Sequence, residues 1–234
     1  MSDGYGSGAD GTVSFPAFHH RTRELSAADM ARIRLAAATR AFMREAFATD
    51  APVASIEEAI DTLGRAGEAL VGGVPEPGTS ASQASFMDRS PFYGSMNPLA
   101  MPMTLEHDQS VGEFGGVVGR AVFTDLYEGP PAHVHGGFIA AAFDEVLGMA
   151  QSLTGRPGMT GRLTITYRSP TPLHAEIVYR GWVDRVEGRK IFTVGTSHMG
   201  DTLCSEAEGL FLSFPPEMAE RLRKGRDVTP PTGD

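Results

Sequence analysis

The run HGGFIAAAFDEVLG, from His135 to Gly148, constrains this chain more than any other segment. After a His-Gly-Gly turn it is small and apolar until Asp144 and Glu145, the composition of a helix buried nearly all round. An acid in such a helix is costly to ionise unless partners are supplied, so it is a candidate for chemistry. Four runs with strand character follow. In GRLTITYRS, Leu163, Ile165 and Tyr167 alternate with Arg162, Thr164, Thr166 and Arg168. Residues 175–186 and 190–199 flank Val186-Glu187-Gly188-Arg189, a hairpin signal, and residues 203–213 form a last strand stopped by Pro215-Pro216. A strand with glycine bends over 111–126, the helix over 137–153 and these four strands give an α+β unit, an antiparallel sheet wrapped on one helix. One helix covers a sheet poorly and leaves its edges open, so such units are expected to pair as a homodimer or a dimer of dimers.

The first hundred residues read differently. Residues 1–25 are polar and Gly-rich at first, and are expected to be poorly ordered. Ser26 reads as the N-cap of a helix to about Phe47, with Asp29 at the capping-box position. Ser55, followed by Glu58, starts a second, in which Ile56, Ile60, Leu63 and Leu70 keep helical spacing. Gly72-Gly73 and Pro75 end it. Residues 73–100, rich in Gly, Pro, Ser and Met, make a connector; Phe86, Phe92, Tyr93, Met96, Met101 and Met103 are expected to pack it onto the domain, with the cover of a tunnel as the alternative. The organisation is therefore an N-terminal extension over 1–100, the α+β domain over 101–214, and a tail over 215–234 that holds a short charged helix.

Charge and cysteine usage exclude several functions. A net charge of -9 argues against a nucleic-acid partner held through its phosphates, while leaving room for a local basic pocket. Cys204 is the only cysteine, so there is no internal disulfide and no Cys-based metal site. His133 and His135 form a His-x-His pair without a third ligand, and no metal site or cofactor is expected. No run reaches the ~18 apolar residues of a membrane span, and the N-terminus lacks the basic start and apolar segment of a signal peptide. A cytoplasmic protein is the expectation.

The turn at His135 to Gly137 and the acid beyond it suit acyl chemistry. Backbone N–H groups at a helix start lack intrahelical partners and carry partial positive charge. Glycines there let a ligand approach closely. A carbonyl oxygen gaining negative charge during attack would be stabilised at that point. Asp144, a little over two turns on, could activate a water or attack directly. On pattern alone, a glycine-rich helix start with an acid at a subunit interface explains the same residues equally well.

The region resembles the hotdog-fold acyl-CoA thioesterases, of the group that contains the phenylacetate-pathway enzymes and the mammalian thioesterase superfamily members. The pattern shared with them is a His-Gly-Gly turn with an acid nine residues after the His, here His135 and Asp144. It continues with Thr160, the YRSPTPL run from Tyr167 to Leu173, and the Val186 to Lys190 hairpin. The resemblance covers about residues 110–214 and implies hydrolysis of an acyl-CoA without a cofactor. It implies Asp144 as the catalytic carboxylate, Gly136 as the amide that polarises the thioester carbonyl, His135 as the shaper of the turn, and Thr160 as the holder of the attacking water. It places Gly137, Thr166, Arg168, Arg189 and Lys190 with the substrate, Thr166 and Arg168 on the strand face shared with Thr160, and the last two cations on the CoA phosphates. It selects Asp144 over Glu145, since neighbouring helix residues point about 100° apart. Gly129 stands where many members carry an Asn, six residues before the His. That departure keeps a second reading open, a non-catalytic acyl-thioester-binding or scaffold protein. The two N-terminal helices are expected to pack on the domain or a neighbouring subunit, as a lid over the acyl end.

Overall fold

The computed structural model describes residues 25–71, 87–156 and 158–214. The expectations for the first residues, for Gly72-Gly73, Pro75 and Phe86, and for the C-terminal tail lie outside the described residues. Helix α1 spans Ala27–Ala48 and α2 spans Val53–Glu68. Six strands follow: β1 (Met103–Asp108), β2 (Gly116–Val122), β3 (Gly158–Tyr167), β4 (Glu176–Glu187), β5 (Lys190–Met199) and β6 (Thr202–Ser213). Helix α3, Gly136–Ser152, lies between β2 and β3 in the chain. The strands form one antiparallel sheet in the order β1-β2-β4-β5-β6-β3, so β1 and β3 are its edges.

The sheet curls around α3. Ile139, Ala142, Phe143, Val146, Leu147 and Ala150 recur at helical spacing and are buried against it. Val146 and Leu147 are completely buried, each contributing roughly 1.5–3 kcal/mol relative to exposure. Close approach depends on glycines beneath them. Gly181 pairs with Gly195 across β4 and β5, and a Cβ at Gly181 would meet Val146 Cγ1 at 2.8 Å and Leu147 Cδ2 at 2.9 Å.

Three details differ from the sequence reading. The expected strand over 111–126 is shorter, and a further strand, β1, precedes it with Met103 and Leu105 facing the core. Helix α2 starts two residues before Ser55, with Pro52 as N-cap and no side-chain cap. Helix α3 is buried on one side only. Gly137 is exposed, and Ala140, Ala141, Asp144 and Gly148 are half-buried, so its small-residue face is open within one chain. Ser26 caps α1 as expected, with the reciprocal Ser26–Asp29 capping box formed.

Candidate active site

The start of α3 is held from three sides. His135 is the N-cap, and its Nδ1 accepts the Gly137 N–H at 3.0 Å, which leaves the ring proton on Nε2. The Tyr167 hydroxyl donates to the Gly136 carbonyl at 2.9 Å. Gly129 packs on the turn from the other side, where a Cβ would lie 2.7 Å from His135 Cα. The chain therefore has no room for the family's Asn at that position, for a backbone reason. A Cβ on Gly136 would come within 3.1 Å of the Tyr167 oxygen. With the Gly137 N–H taken by His135, the Gly136 N–H is the donor at this helix start that has no acceptor among the described residues.

Asp144 and Thr160 are brought together, since the Thr160 hydroxyl donates to Asp144 Oδ1 at 2.8 Å. A bulge in β3 between Thr160 and Arg162 makes this contact possible. Before it, Thr160 lies opposite Phe211, a core residue; after it, Leu163 lies opposite Gly209, which touches Leu147. Directly opposed residues share a face, and each extra residue in a strand reverses the parity. Thr160 thus faces α3 with Leu163, Ile165 and Tyr167. Thr166 lies opposite Glu206 on the other face, so the expected shared face with Thr160 does not exist. Arg168, just past the strand, is paired to Glu206 at 2.6 Å.

Glu145 points elsewhere. Burial, then the charge of Asp144, raises its pKa from 4.5 to about 7. It lies near Tyr93 of the connector, whose hydroxyl is pushed up by burial and then by Glu145. Asp144, rather than Glu145, meets Thr160. Arg189 is in the β4–β5 turn, where its Nε donates to Ser213 O at 3.0 Å, and Lys190 beside it is exposed. Arg156, which sequence reasoning missed, donates to Gly188 O at 3.2 Å and joins them beyond the C-terminal end of α3. Among the described residues, no three His, Cys, Asp or Glu side chains are grouped to hold a metal ion.

Two halves of a site are thus formed, a free amide at Gly136 and a carboxylate–hydroxyl pair at Asp144 and Thr160. They stand eight residues apart on one helix, roughly 12 Å of axial rise.

A family model described as thioesterase superfamily matches residues 132–208. A solved structure described as a thioesterase superfamily protein is 33% identical, with a TM-score of 0.68, over 77% of this chain and 94% of its own. The chain belongs to the thioesterase superfamily. The superfamily match contains both half-sites and the cationic hairpin. The solved member covers more of the chain than the Met103–Ser213 unit could supply, so it also has a counterpart to part of the N-terminal extension. The α+β arrangement is the hotdog fold that the resemblance implies. Acyl-coenzyme A thioesterase THEM4 from Xenopus laevis is 37% identical over 38% of this chain and 41% of its own length. Its Bos taurus counterpart is 40% identical over 38% of this chain and 38% of its own. The chain spans less than half the length of these curated relatives.

Proposed function

We propose that the protein hydrolyses acyl-CoA thioesters. The observation that carries this reading is the Thr160–Asp144 hydrogen bond, which fixes a carboxylate on an open helix face beside a hydroxyl able to hold water. The Asp144 carboxylate takes a proton from that water, whose oxygen attacks the thioester carbonyl. The carbonyl oxygen becomes an oxyanion and accepts from the Gly136 N–H, with the positive end of α3 behind it. Collapse breaks the C–S bond, and the CoA thiolate leaves and receives a proton. The products are the free acid and CoA. Arg189, Lys190 and Arg156 supply positive charge for the CoA phosphates; Arg168, committed to Glu206, contributes less to them.

The spacing of the two half-sites supports a site built from two copies. A water about 3 Å from Asp144 and a carbonyl oxygen about 3 Å from Gly136 would be separated by roughly 6 Å along one helix, whereas attack needs about 3 Å. A second copy whose α3 start meets this copy's Asp144 closes the gap. The open small-residue face of α3 and the exposed edge strand β3 support such a homodimer, singly or in a dimer of dimers.

The test is thiol release from acyl-CoAs of short, medium, long and aromatic acyl groups. Turnover of at least one class, abolished by Asp144→Asn, is expected. Acyl-CoA binding without turnover would favour the binding-protein reading, which Gly129 in place of Asn keeps in view. A fully active Asp144→Asn protein would move the catalytic role elsewhere.

A further inference from the structure

A cavity of about 400 Å³ lies between α1, the connector and the start of α3, within the usual size range of small-molecule sites. Met43, Leu99, Met101, Tyr127 and Phe138 give it apolar walls. Phe138, two residues along α3 from Gly136, brings the cavity to the start of that helix. Phe138 makes an edge contact with the His135 ring at 6.3 Å between centroids and with Tyr127 at 4.9 Å. Phe138 and Tyr127, which line the cavity, therefore connect it to the turn at His135.

One wall is charged. Arg40 and Arg44 project from α1 one turn apart, and none of the residues lining the cavity is acidic. Like charges at this spacing repel, and neither guanidinium has a carboxylate partner among the described residues. Arg40 gives one N–H to Asn97 O at 2.7 Å, which anchors it and leaves the rest of its fork available. Both arginines act on the Tyr127 hydroxyl, countering the rise that burial causes, so their charge is felt inside the cavity. An apolar cavity beside the start of α3, with two guanidiniums that have no carboxylate partner among the described residues, fits an apolar chain that ends in an anion.

We propose that this cavity receives the acyl group and that Arg40 and Arg44 select acyl groups ending in a carboxylate, that is, dicarboxylic acid monothioesters. This rests on the thioesterase reading above. The preference for a terminal carboxylate is then set by α1 of the N-terminal extension.

The test compares hexanoyl-CoA with adipoyl-CoA, which differ by the terminal carboxylate. It uses the full-length protein, Arg44→Gln, and the Arg40→Gln/Arg44→Gln double variant. Arg44 makes no hydrogen bond to another described residue, so its variant guards against a folding defect from losing the Arg40–Asn97 tie. The wild-type kcat/KM is expected to favour adipoyl-CoA by about tenfold or more, mainly through KM, as one charge-assisted hydrogen bond would give. The ratio should fall in Arg44→Gln and approach one in the double variant. A wild-type ratio near one, or a ratio unchanged in the double variant, overturns the proposal. So does an equal loss with both esters, which would put the arginines on a CoA phosphate. If neither ester is hydrolysed, calorimetric binding of the same pair decides. Tighter binding of adipoyl-CoA by a similar factor upholds the cavity while the hydrolase reading fails, and equal or absent binding overturns the cavity as well.

Discussion

Replacing Gly136 by Pro removes one N–H group and little else. Gly136 is the first residue of α3, where a proline is well tolerated because that N–H has no intrahelical partner. His135, at φ -61 and ψ 133, already has the extended backbone that a residue before proline prefers. The new Cβ would come 3.1 Å from the Tyr167 oxygen, but that side chain is 53% exposed and can shift by a few tenths of an ångström. Gly136→Ala makes the same contact and keeps the N–H, so the Pro-to-Ala comparison isolates the donor. Loss of one oxyanion donor costs about 10²–10³ in kcat. KM should change little, because the donor matters most once charge has developed on the oxygen. The assay is steady-state thiol release from the best acyl-CoA of the panel, with thermal midpoints to confirm folding. A folded Gly136→Pro protein that turns over as fast as Gly136→Ala would refute the assignment of this amide.

Thr160→Val keeps the shape and removes the 2.8 Å hydrogen bond to Asp144; kcat is expected to fall by about tenfold while the thermal midpoint hardly moves, since Thr160 is exposed. Gly129→Asn, which introduces the residue that the resemblance implies, should lower both stability and activity, because its Cβ cannot sit 2.7 Å from His135 Cα; a cost of about 1–3 kcal/mol in chemical denaturation is expected, and a gain in activity would contradict it. Glu145, raised from 4.5 to about 7, contributes its full stability below about 4.5 and loses it as the pH rises through about 7. Glu145→Gln should therefore be more stable than wild type at pH 8, on the order of 2 kcal/mol, with the advantage gone near pH 4.5. Equal denaturation midpoints for the two proteins at pH 8 would show that Glu145 is not held in this environment.

The parts of the fold legible in the sequence are those with unbroken periods. Strands β4, β5 and β6 fall within about two residues of their expected bounds, and α3 within one. Strand β1 was hidden because only Met103 and Leu105 alternate inward, in a stretch before residue 111 to which no element was assigned. The face of Thr160 could not be read from a period of two, because a single bulge beside Gly161 reverses it. That same reversal takes Thr160 to Asp144 and leaves Thr166 on the opposite face. The small and apolar residues that dominate α3 suggested burial nearly all round, yet in one chain its small-residue face is open. Arg40 and Arg44 carried no signal, since two arginines on a helix with exposed residues read as a solvated face until the connector closes a cavity over them.

The most direct test of the two-copy site is complementation between two inactive proteins. Asp144→Asn and Gly136→Pro chains, differently tagged, are co-expressed, and the mixed oligomer is purified through both tags. In a symmetric mixed dimer one site carries both substitutions and the other carries neither. The account predicts acyl-CoA hydrolysis at roughly half the wild-type rate from a mixture of two parents that are each nearly inactive. A mixed oligomer as inactive as its parents would contradict a site shared between Gly136 of one copy and Asp144 of another.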